Sequence, residues 1–260
     1  MHLTSNGAIP RPTAARLLLV AVVLFFFYQL PHGVGNDNLI LMVPLVAWWG
    51  SRMLGFHGLR AWYLDARQGW LRLLGLGVVL SCAAKALALV IGSGADVYTV
   101  AWTGGPPLAA LAGPLALTVF GTFVASISED ILTRGLVLRA FPRLDGRWLF
   151  IVVSSALYVL NHIYRLQKGP SEWIMLFCMG LAYAAALYRS GTLWAAVGLH
   201  WGWNLANGLA DLFGQVDVAN ATAAPYWTAG AHLVMLAVTL LVMRPNSLPA
   251  AAVPSRAPGA

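Results

Sequence analysis

The feature that most constrains this chain is a series of eight apolar stretches, most of them near the length of a membrane-spanning helix. A bilayer core needs about 20 apolar residues of helix, and lipid forces each segment to satisfy its own backbone hydrogen bonds. The sequence therefore predicts an all-α fold: a polytopic transmembrane helix bundle of about eight helices, forming a single membrane-embedded domain over residues 1–245. The stretches lie at about 17–30, 39–55, 70–92, 107–128, 148–164, 172–188, 192–212 and 226–243.

Composition excludes the main alternatives to a membrane protein. Hydrophobic residues make up 59% of the chain and charged residues 10%, which is too apolar for a soluble domain. The net charge of +7 is scattered between apolar stretches and forms no basic stripe of the kind that binds nucleic acid. Membrane lipids are the predicted surroundings, and no nucleic-acid partner is expected. A tail over residues 246–260, rich in Pro, Ala and Ser, is predicted to be disordered.

The positions of the basic residues predict the orientation in the membrane. With the N-terminus inside, thirteen Lys and Arg residues fall in inside segments and two, Arg165 and Lys168, fall outside, while Lys85 lies within a stretch. Positive residues concentrate on the cytoplasmic side, so both termini are predicted to be cytoplasmic. Arg outnumbers Lys fourteen to two, and Ala and Gly are frequent. This composition is typical of a GC-rich bacterial source and predicts the bacterial inner membrane as the location.

Charged residues end the fourth apolar stretch, where they are costly. A charge at the centre of a membrane helix costs roughly 2.5–3.5 kcal/mol on insertion scales. Asp130 and Arg134 are four residues apart, so on a helix they share a face and can pair. Glu129 is rotated by about 100° from Asp130 and is predicted to be free to titrate. The alternative is an interfacial cluster that merely ends a helix, which suits Arg134 but leaves Glu129 unexplained.

Two histidines lie in later stretches, each with a polar companion at helical spacing. Tyr158 and His162 are four residues apart in the fifth stretch, and His200 and Asn204 are four apart in the seventh. A histidine and an asparagine within a membrane helix favour a polar cavity over contact with lipid. The alternative for His162 is a structural role at the membrane interface. For the polar residues of the seventh stretch, the alternative is hydrogen bonding between helices.

The three pairs occur in a fixed order on separate predicted helices. They read Glu129-Asp130-x-x-x-Arg134, Tyr158-x-x-x-His162 and His200-x-x-x-Asn204. This pattern resembles the CPBP family of CAAX-processing and bacteriocin-processing intramembrane endopeptidases, also called the Abi family. The family pattern is Glu-Glu-x-x-x-Arg, Phe-x-x-x-His and His-x-x-x-Asn/Asp, so the second Glu and the Phe are replaced here. The resemblance covers roughly residues 107–212.

The resemblance implies an intramembrane endopeptidase that acts on a membrane-associated protein or peptide. In that reading Glu129 activates water, while His162, His200 and Asn204 orient the reactants and stabilise the oxyanion. Asp130, Arg134 and Tyr158 would support them, and no cofactor is expected. The rival chemistry is zinc-dependent, because one Glu and two His suffice for a catalytic zinc site with an open water position. Glu129, His162 and His200 would then be the metal ligands.

Functions without hydrolysis are also compatible with the polar residues. A proton-coupled transporter could use Glu129 as a proton carrier, and an immunity or assembly scaffold could keep the same polar core without catalysis. No pair of broken, symmetry-related helices is visible in the sequence, which disfavours a transporter. The presence of Glu129, His162 and His200 together disfavours an inactive scaffold. We therefore expect an enzyme.

Overall fold

The computed structural model describes residues 12–66, 68–141 and 147–243, and in this part the chain forms an all-α bundle, as predicted. Each predicted apolar stretch overlaps one α-helix, and a short helix, α5, was not predicted. The predicted disordered tail lies outside the described residues. The helices are α1 (Ala14–Val34), α2 (Met42–Met53), α3 (Trp70–Gly94), α4 (Leu108–Asp130), α5 (Leu136–Ala140), α6 (Arg147–Asn161), α7 (Pro170–Ser190), α8 (Leu193–Phe213) and α9 (Ala224–Val242).

Within the residues that the structure describes, five helical segments are long and apolar enough to cross a membrane: Ala14–Val34, Trp70–Gly94, Leu108–Ala140, Pro170–Ser190 and Ala224–Val242. A shorter apolar helix covers Trp148–Asn161. The remaining two predicted spans do not reach these criteria. The α2 helix has 12 residues, which is short for a span. The α8 helix has 21 residues, but polar side chains within it lower its hydropathy.

The bundle exposes many large apolar side chains and buries a group of charged residues within an otherwise apolar core. Large apolar side chains are among the most exposed, such as Leu241 at 84% and Leu117 at 72% exposure. Buried polar and charged residues include Glu129, Asp130 and Arg134. A solvent-facing protein rarely exposes large apolar surfaces, whereas a helix bundle in lipid does. The charged residues therefore face other helices.

Glycines bring α3 and α8 into close contact. A Cβ atom added at Gly77 would lie 2.7 Å from the backbone N of Leu199, and one at Gly202 would lie 2.7 Å from the carbonyl O of Val78. Small residues at a helix interface let two backbones approach closely, which is a common way of packing helices in membranes. This contact fixes the part of α8 that carries His200.

Two short strands join the ends of α3 and α8. Strand β1 (Tyr98–Trp102) follows α3, and β2 (Gly214–Val218) follows α8; they pair antiparallel with Tyr98 opposite Val218. Neither strand was predicted, because a single five-residue extended segment lacks a clear periodic pattern. The pairing places residue 100 and the segment before residue 220 at the same end of the bundle.

The acidic motif lies where α4 changes its winding. A π-helical turn over Ile131–Gly135 begins directly after Asp130 and leads into α5. The Thr133 hydroxyl donates to the Glu129 carbonyl oxygen at 2.7 Å. The motif was expected on a regular α-helix, and the wider turn is the difference. Single π turns inside α-helices are frequent at functional sites.

Candidate active site

Three helices bring Glu129, His162 and His200 together. Glu129 lies in the last turn of α4, His162 directly follows α6, and His200 lies within α8. The Nε2 atom of His162 is 3.3 Å from Glu129 Oε1, and the Nε2 atom of His200 is 3.5 Å from Glu129 Oε2. Glu129 itself is 5% exposed. Each carboxylate oxygen therefore faces one imidazole nitrogen in a largely enclosed space.

In each imidazole, the partner of the other ring nitrogen, Nδ1, indicates which nitrogen carries the proton. His162 Nδ1 is 2.8 Å from the Tyr158 carbonyl oxygen, and His200 Nδ1 is 3.1 Å from Asp130 Oδ1. These oxygens accept hydrogen bonds, so both Nδ1 atoms carry a proton and donate it. A neutral imidazole would then turn the lone pair of Nε2 toward a carboxylate oxygen. The two Nε2–oxygen contacts with Glu129 are attractive only when a proton, a water or a cation lies between the two atoms.

Asp130 has a different environment from Glu129. It forms an ion pair with Arg134, and both side chains are fully buried. Arg134 Nη1 also donates to the Thr133 hydroxyl at 2.9 Å. The guanidinium lies over the ring of Tyr158, 4.5 Å from its centroid. The buried Arg134 cation thus fixes the position of Asp130. Asp130 in turn fixes the orientation of His200 through the contact with Nδ1.

Tyr158 packs against both histidines. Its ring centroid is 4.7 Å from that of His162 and 6.0 Å from that of His200, in edge-to-face arrangements. The ring is 1% exposed. An edge-to-face aromatic contact restricts the orientation of an imidazole. Tyr158, which stands in place of the phenylalanine of the family pattern, therefore restricts the orientation of both imidazoles.

Asn204 lies apart from the Glu129 carboxylate. Its Nδ2 atom donates to the Ser126 hydroxyl at 3.0 Å, and that hydroxyl donates to the Thr122 carbonyl oxygen at 2.7 Å. Asn204 is one helical turn beyond His200, and Ser126 is nearly one turn before Glu129. The structure thus brings three of the four predicted catalytic residues into contact and leaves Asn204 beside them, bonded to a serine.

Sequence reasoning missed several residues around Glu129. Asn161 Nδ2 donates to Glu129 Oε1 at 3.2 Å, and Gln29 Nε2 donates to the carbonyl and side-chain oxygens of Asn161 at 2.9 and 3.0 Å. The Tyr28 hydroxyl also interacts with Glu129 and Asn161. A signal existed, since Tyr28 and Gln29 interrupt the first apolar stretch. What the sequence lacked was any indication that α1 contacts the acidic motif.

An apolar groove lies at the outer surface of the bundle, beside this cluster. It has a volume of about 660 Å³ and lies between α1, α6 and the segment that joins α4 to α5. Two of its lining residues are Thr133 and Asn161, which both bond to Glu129. The apolar lining residues are Ala14, Leu17, Leu18, Ala21, Phe25, Leu132, Leu136, Val137, Ala140, Phe141, Leu157 and Leu160.

The donor set of Glu129, His162 and His200 has the chemistry of a zinc site. Within the described residues, however, no three His, Cys, Asp or Glu side chains are arranged so that they could hold a metal ion. The two Nε2–oxygen contacts, at 3.3 and 3.5 Å, leave space for a proton between each pair of atoms. That the reaction needs no cofactor stays a prediction.

Comparison with known proteins identifies the same segment as the motifs. Residues 111–206 match the family described as type II CAAX prenyl endopeptidase Rce1-like. The match runs from α4 into α8 and includes the residues from Glu129 to Asn204, whereas α1, α2, α3 and α9 lie outside it. No curated protein and no solved structure matches the chain. The resemblance to the CPBP family is thereby confirmed: over residues 111–206 this multi-pass membrane protein is similar to the Rce1-like CAAX endopeptidases.

Proposed function

We propose that this chain is an intramembrane endopeptidase that hydrolyses a peptide bond of a membrane-associated protein or peptide. The observation that carries the proposal is the convergence of two imidazole Nε2 atoms on the two oxygens of one buried carboxylate, at 3.3 and 3.5 Å. The family match supports the reaction class. Such a cluster can take a proton from water and return it to a leaving group, which are the two proton transfers that peptide hydrolysis requires.

Glu129 is the proposed general base. A water between its carboxylate and the scissile carbonyl would lose a proton to Glu129 as its oxygen attacks the carbonyl carbon. The Nε2 atom of His162 lies beside the same carboxylate, at Oε1. Its lone pair can take this proton from Glu129 and pass it to the amine as the carbon–nitrogen bond breaks, so that both side chains return to their starting states within one turnover.

His200 and Asn204 are the proposed oxyanion donors. When its ring is protonated, His200 can donate through Nε2 while Nδ1 remains bonded to Asp130. Donors placed where negative charge develops are worth roughly 10²–10³ in rate each. Asn204 would have to turn from Ser126 to reach a substrate oxygen. Asp130, Arg134 and Tyr158 would hold the two imidazoles in place.

The groove beside α1 supports a substrate with an apolar chain. Its volume of about 660 Å³ is within the usual range for pockets that bind small ligands, roughly 300–1,000 Å³. The groove reaches Asn161, which bonds to Glu129. A lipid group or an apolar peptide tail lying in the groove would bring the neighbouring peptide bond to the carboxylate.

The decisive experiment replaces Glu129 by Gln in the purified protein, in detergent or liposomes. The amide keeps the shape of the side chain but cannot accept the proton, so cleavage of a membrane-associated peptide should slow by roughly 10²–10⁴-fold. The matched control is Glu172→Gln, which makes the same chemical change at another buried glutamate, whose partner is Arg165 and not a histidine. Full activity of the Glu129 variant would remove the hydrolase proposal.

A chelator separates the two mechanisms. If the reaction is metal-free, a tight zinc chelator leaves activity unchanged and the purified protein carries no stoichiometric metal. If chelation abolishes cleavage and added zinc restores it, Glu129, His162 and His200 are instead the zinc ligands, and the metal supplies the activated water.

A further inference from the structure

His232 is a buried histidine that the proposed mechanism does not use. It lies within α9, outside the family-matched segment, and is 0% exposed. Its Nδ1 atom is 2.9 Å from the Thr228 carbonyl oxygen, and its Nε2 atom is 2.9 Å from the Tyr183 hydroxyl. The ring of Trp203 packs on it with centroids 4.3 Å apart. Contacts from α7, α8 and α9 thus fix the position of this side chain.

The two hydrogen bonds of His232 define which ring nitrogen donates and which accepts. The Thr228 carbonyl oxygen can only accept, so Nδ1 carries a proton and donates it. The neutral ring then has a lone pair on Nε2, which accepts from the Tyr183 hydroxyl. The orientation of the Tyr183 side chain is therefore determined by an anchor on α9.

The ring of Tyr183 in turn stacks on the ring of His200. The two rings are almost parallel, with centroids 4.8 Å apart and an angle of 18° between their planes. In its own plane, the His200 ring is held by Asp130 at Nδ1 and Glu129 at Nε2. The contacts with the two carboxylates direct the two ring nitrogens, but they leave rotation of the ring about the axis through those nitrogens less restricted. The stacked ring of Tyr183 restricts that rotation.

We propose that Tyr183 and His232 are positioning residues that hold the imidazole of His200 in the plane required by its contacts with Asp130 and Glu129. The inference rests on the proposed function, because the effect it describes is an effect on hydrolysis. It extends the site to α9, a helix that the family match does not reach. A change at the far end of this chain of contacts, about two side chains from Glu129, should therefore alter turnover.

The test begins with Tyr183→Phe, which keeps the ring and removes the hydroxyl that His232 anchors. Turnover (kcat) should fall by between about tenfold and 10²-fold, as expected when a catalytic group is displaced by a fraction of an ångström to 1 Å. KM should stay unchanged, because the groove that binds substrate is not altered. His232→Leu should give a loss of the same size, and the double variant should be no worse than either single one, because both changes break one chain of contacts.

Two further variants distinguish positioning from general stability. His232→Gln retains an acceptor for the Tyr183 hydroxyl and should recover most of the turnover lost in His232→Leu. Tyr98→Phe is the matched control: its hydroxyl lies 3.4 Å from Ala224 O and 3.4 Å from Thr228 Oγ1, so it also bonds to α9. That variant should keep normal turnover even if its melting temperature falls.

The outcomes separate this inference from the proposed function. Normal kcat in Tyr183→Phe, or an equal loss in Tyr98→Phe, overturns the positioning role while leaving the hydrolase intact. Absence of cleavage by the unmodified chain, or full activity of Glu129→Gln, overturns the proposed function itself. Turnover is expressed per folded molecule, with the folded fraction taken from thermal unfolding in detergent.

Discussion

The Oδ1 atom of Asp130 contacts two partners, and the two contacts have different effects on the protein. Arg134 pairs with it inside the bundle, where both side chains are fully buried, and His200 Nδ1 contacts it at 3.1 Å. The first contact compensates a buried cation, and the second orients an imidazole. Glu129, one residue earlier, contacts His162 and His200 instead of Arg134. Adjacent carboxylates thus have separate tasks because their partners differ.

Replacing Asp130 by Asn should therefore act mainly through stability. Loss of the charge leaves Arg134 buried without its counter-ion, and breaking a buried ion pair on one side typically costs about 3–5 kcal/mol. We expect a loss of about 3 kcal/mol, the lower end of that range, because the amide oxygen can still accept a hydrogen bond. The measurement is the free energy of unfolding in detergent.

Asp217→Asn is the control for this substitution. Asp217 is exposed in β2 and bonds to Gln215, so the same chemical change should alter the free energy of unfolding by less than about 0.5 kcal/mol. Equal effects of the two substitutions would contradict the role assigned to the Asp130–Arg134 pair.

At the level of elements, the site depends on how closely α8 approaches its neighbours. His200 lies between Gly198 and Gly202, and both of these glycines face α3 at backbone distance. A larger residue at this interface would push α8 away and move His200 relative to Glu129 on α4. The α3 helix carries none of the family motifs, yet it supports one of them through a packing contact.

Gly77→Ala and Gly75→Ala make a matched pair on α3 for testing this contact. At Gly77 the new Cβ would lie 2.7 Å from Leu199 N and 2.8 Å from Gly198 C, so the helices must separate. Such overpacking typically costs about 1–3 kcal/mol. At Gly75 the added Cβ meets no atom within 4 Å, and the higher helix propensity of Ala should stabilise the helix by up to about 1 kcal/mol.

Thermal unfolding of the two variants in detergent measures these changes, and cleavage assays show whether His200 has moved. We expect Gly77→Ala to lower both the melting temperature and turnover, and Gly75→Ala to lower neither. A Gly77 variant as stable and active as the unmodified chain would show that α3 and α8 do not pack as closely as described.

At the scale of the whole molecule, different contacts mark the two ends of the bundle. One end carries the β1–β2 pair. The other carries the loop between α2 and α3, where the Tyr63 carbonyl oxygen accepts hydrogen bonds from Leu193 N and the Thr192 hydroxyl. The Tyr63 side chain is buried in the packed part of this loop, and this burial raises the pKa of its phenol above the usual value. The charge distribution predicts that this second end is cytoplasmic.

Labelling of single cysteines tests this arrangement in intact cells, starting from a variant in which Cys82 and Cys178 are replaced. Cysteines at positions 100 and 220 should react from the same side, because the two strands hold these segments together. A cysteine at position 60 should react from the opposite, cytoplasmic side. Reaction of positions 100 and 60 from one side would overturn the predicted topology.

The sequence alone determined where most of the helices lie, and it predicted which residues form the candidate site. Helices that cross lipid need long apolar segments, so the local composition of the chain indicates where they lie. The pairing of Asp130 with Arg134 and the packing of Tyr158 on His162 follow from a spacing of four residues on one chain segment. Each of these features depends on neighbours in sequence, and a residue pattern therefore predicts it.

The tertiary structure decided which helices meet. The contact from Gln29 to Asn161 joins residues 132 positions apart, and that from Tyr183 to His232 joins residues 49 apart. Neither pair has a spacing that signals contact, because packing between helices depends on side-chain shape along whole surfaces. The β1–β2 pair, the groove and the alignment of His162 and His200 on Glu129 arise in the same way. They exist only once all the helices are packed, so no single segment of the chain encodes them.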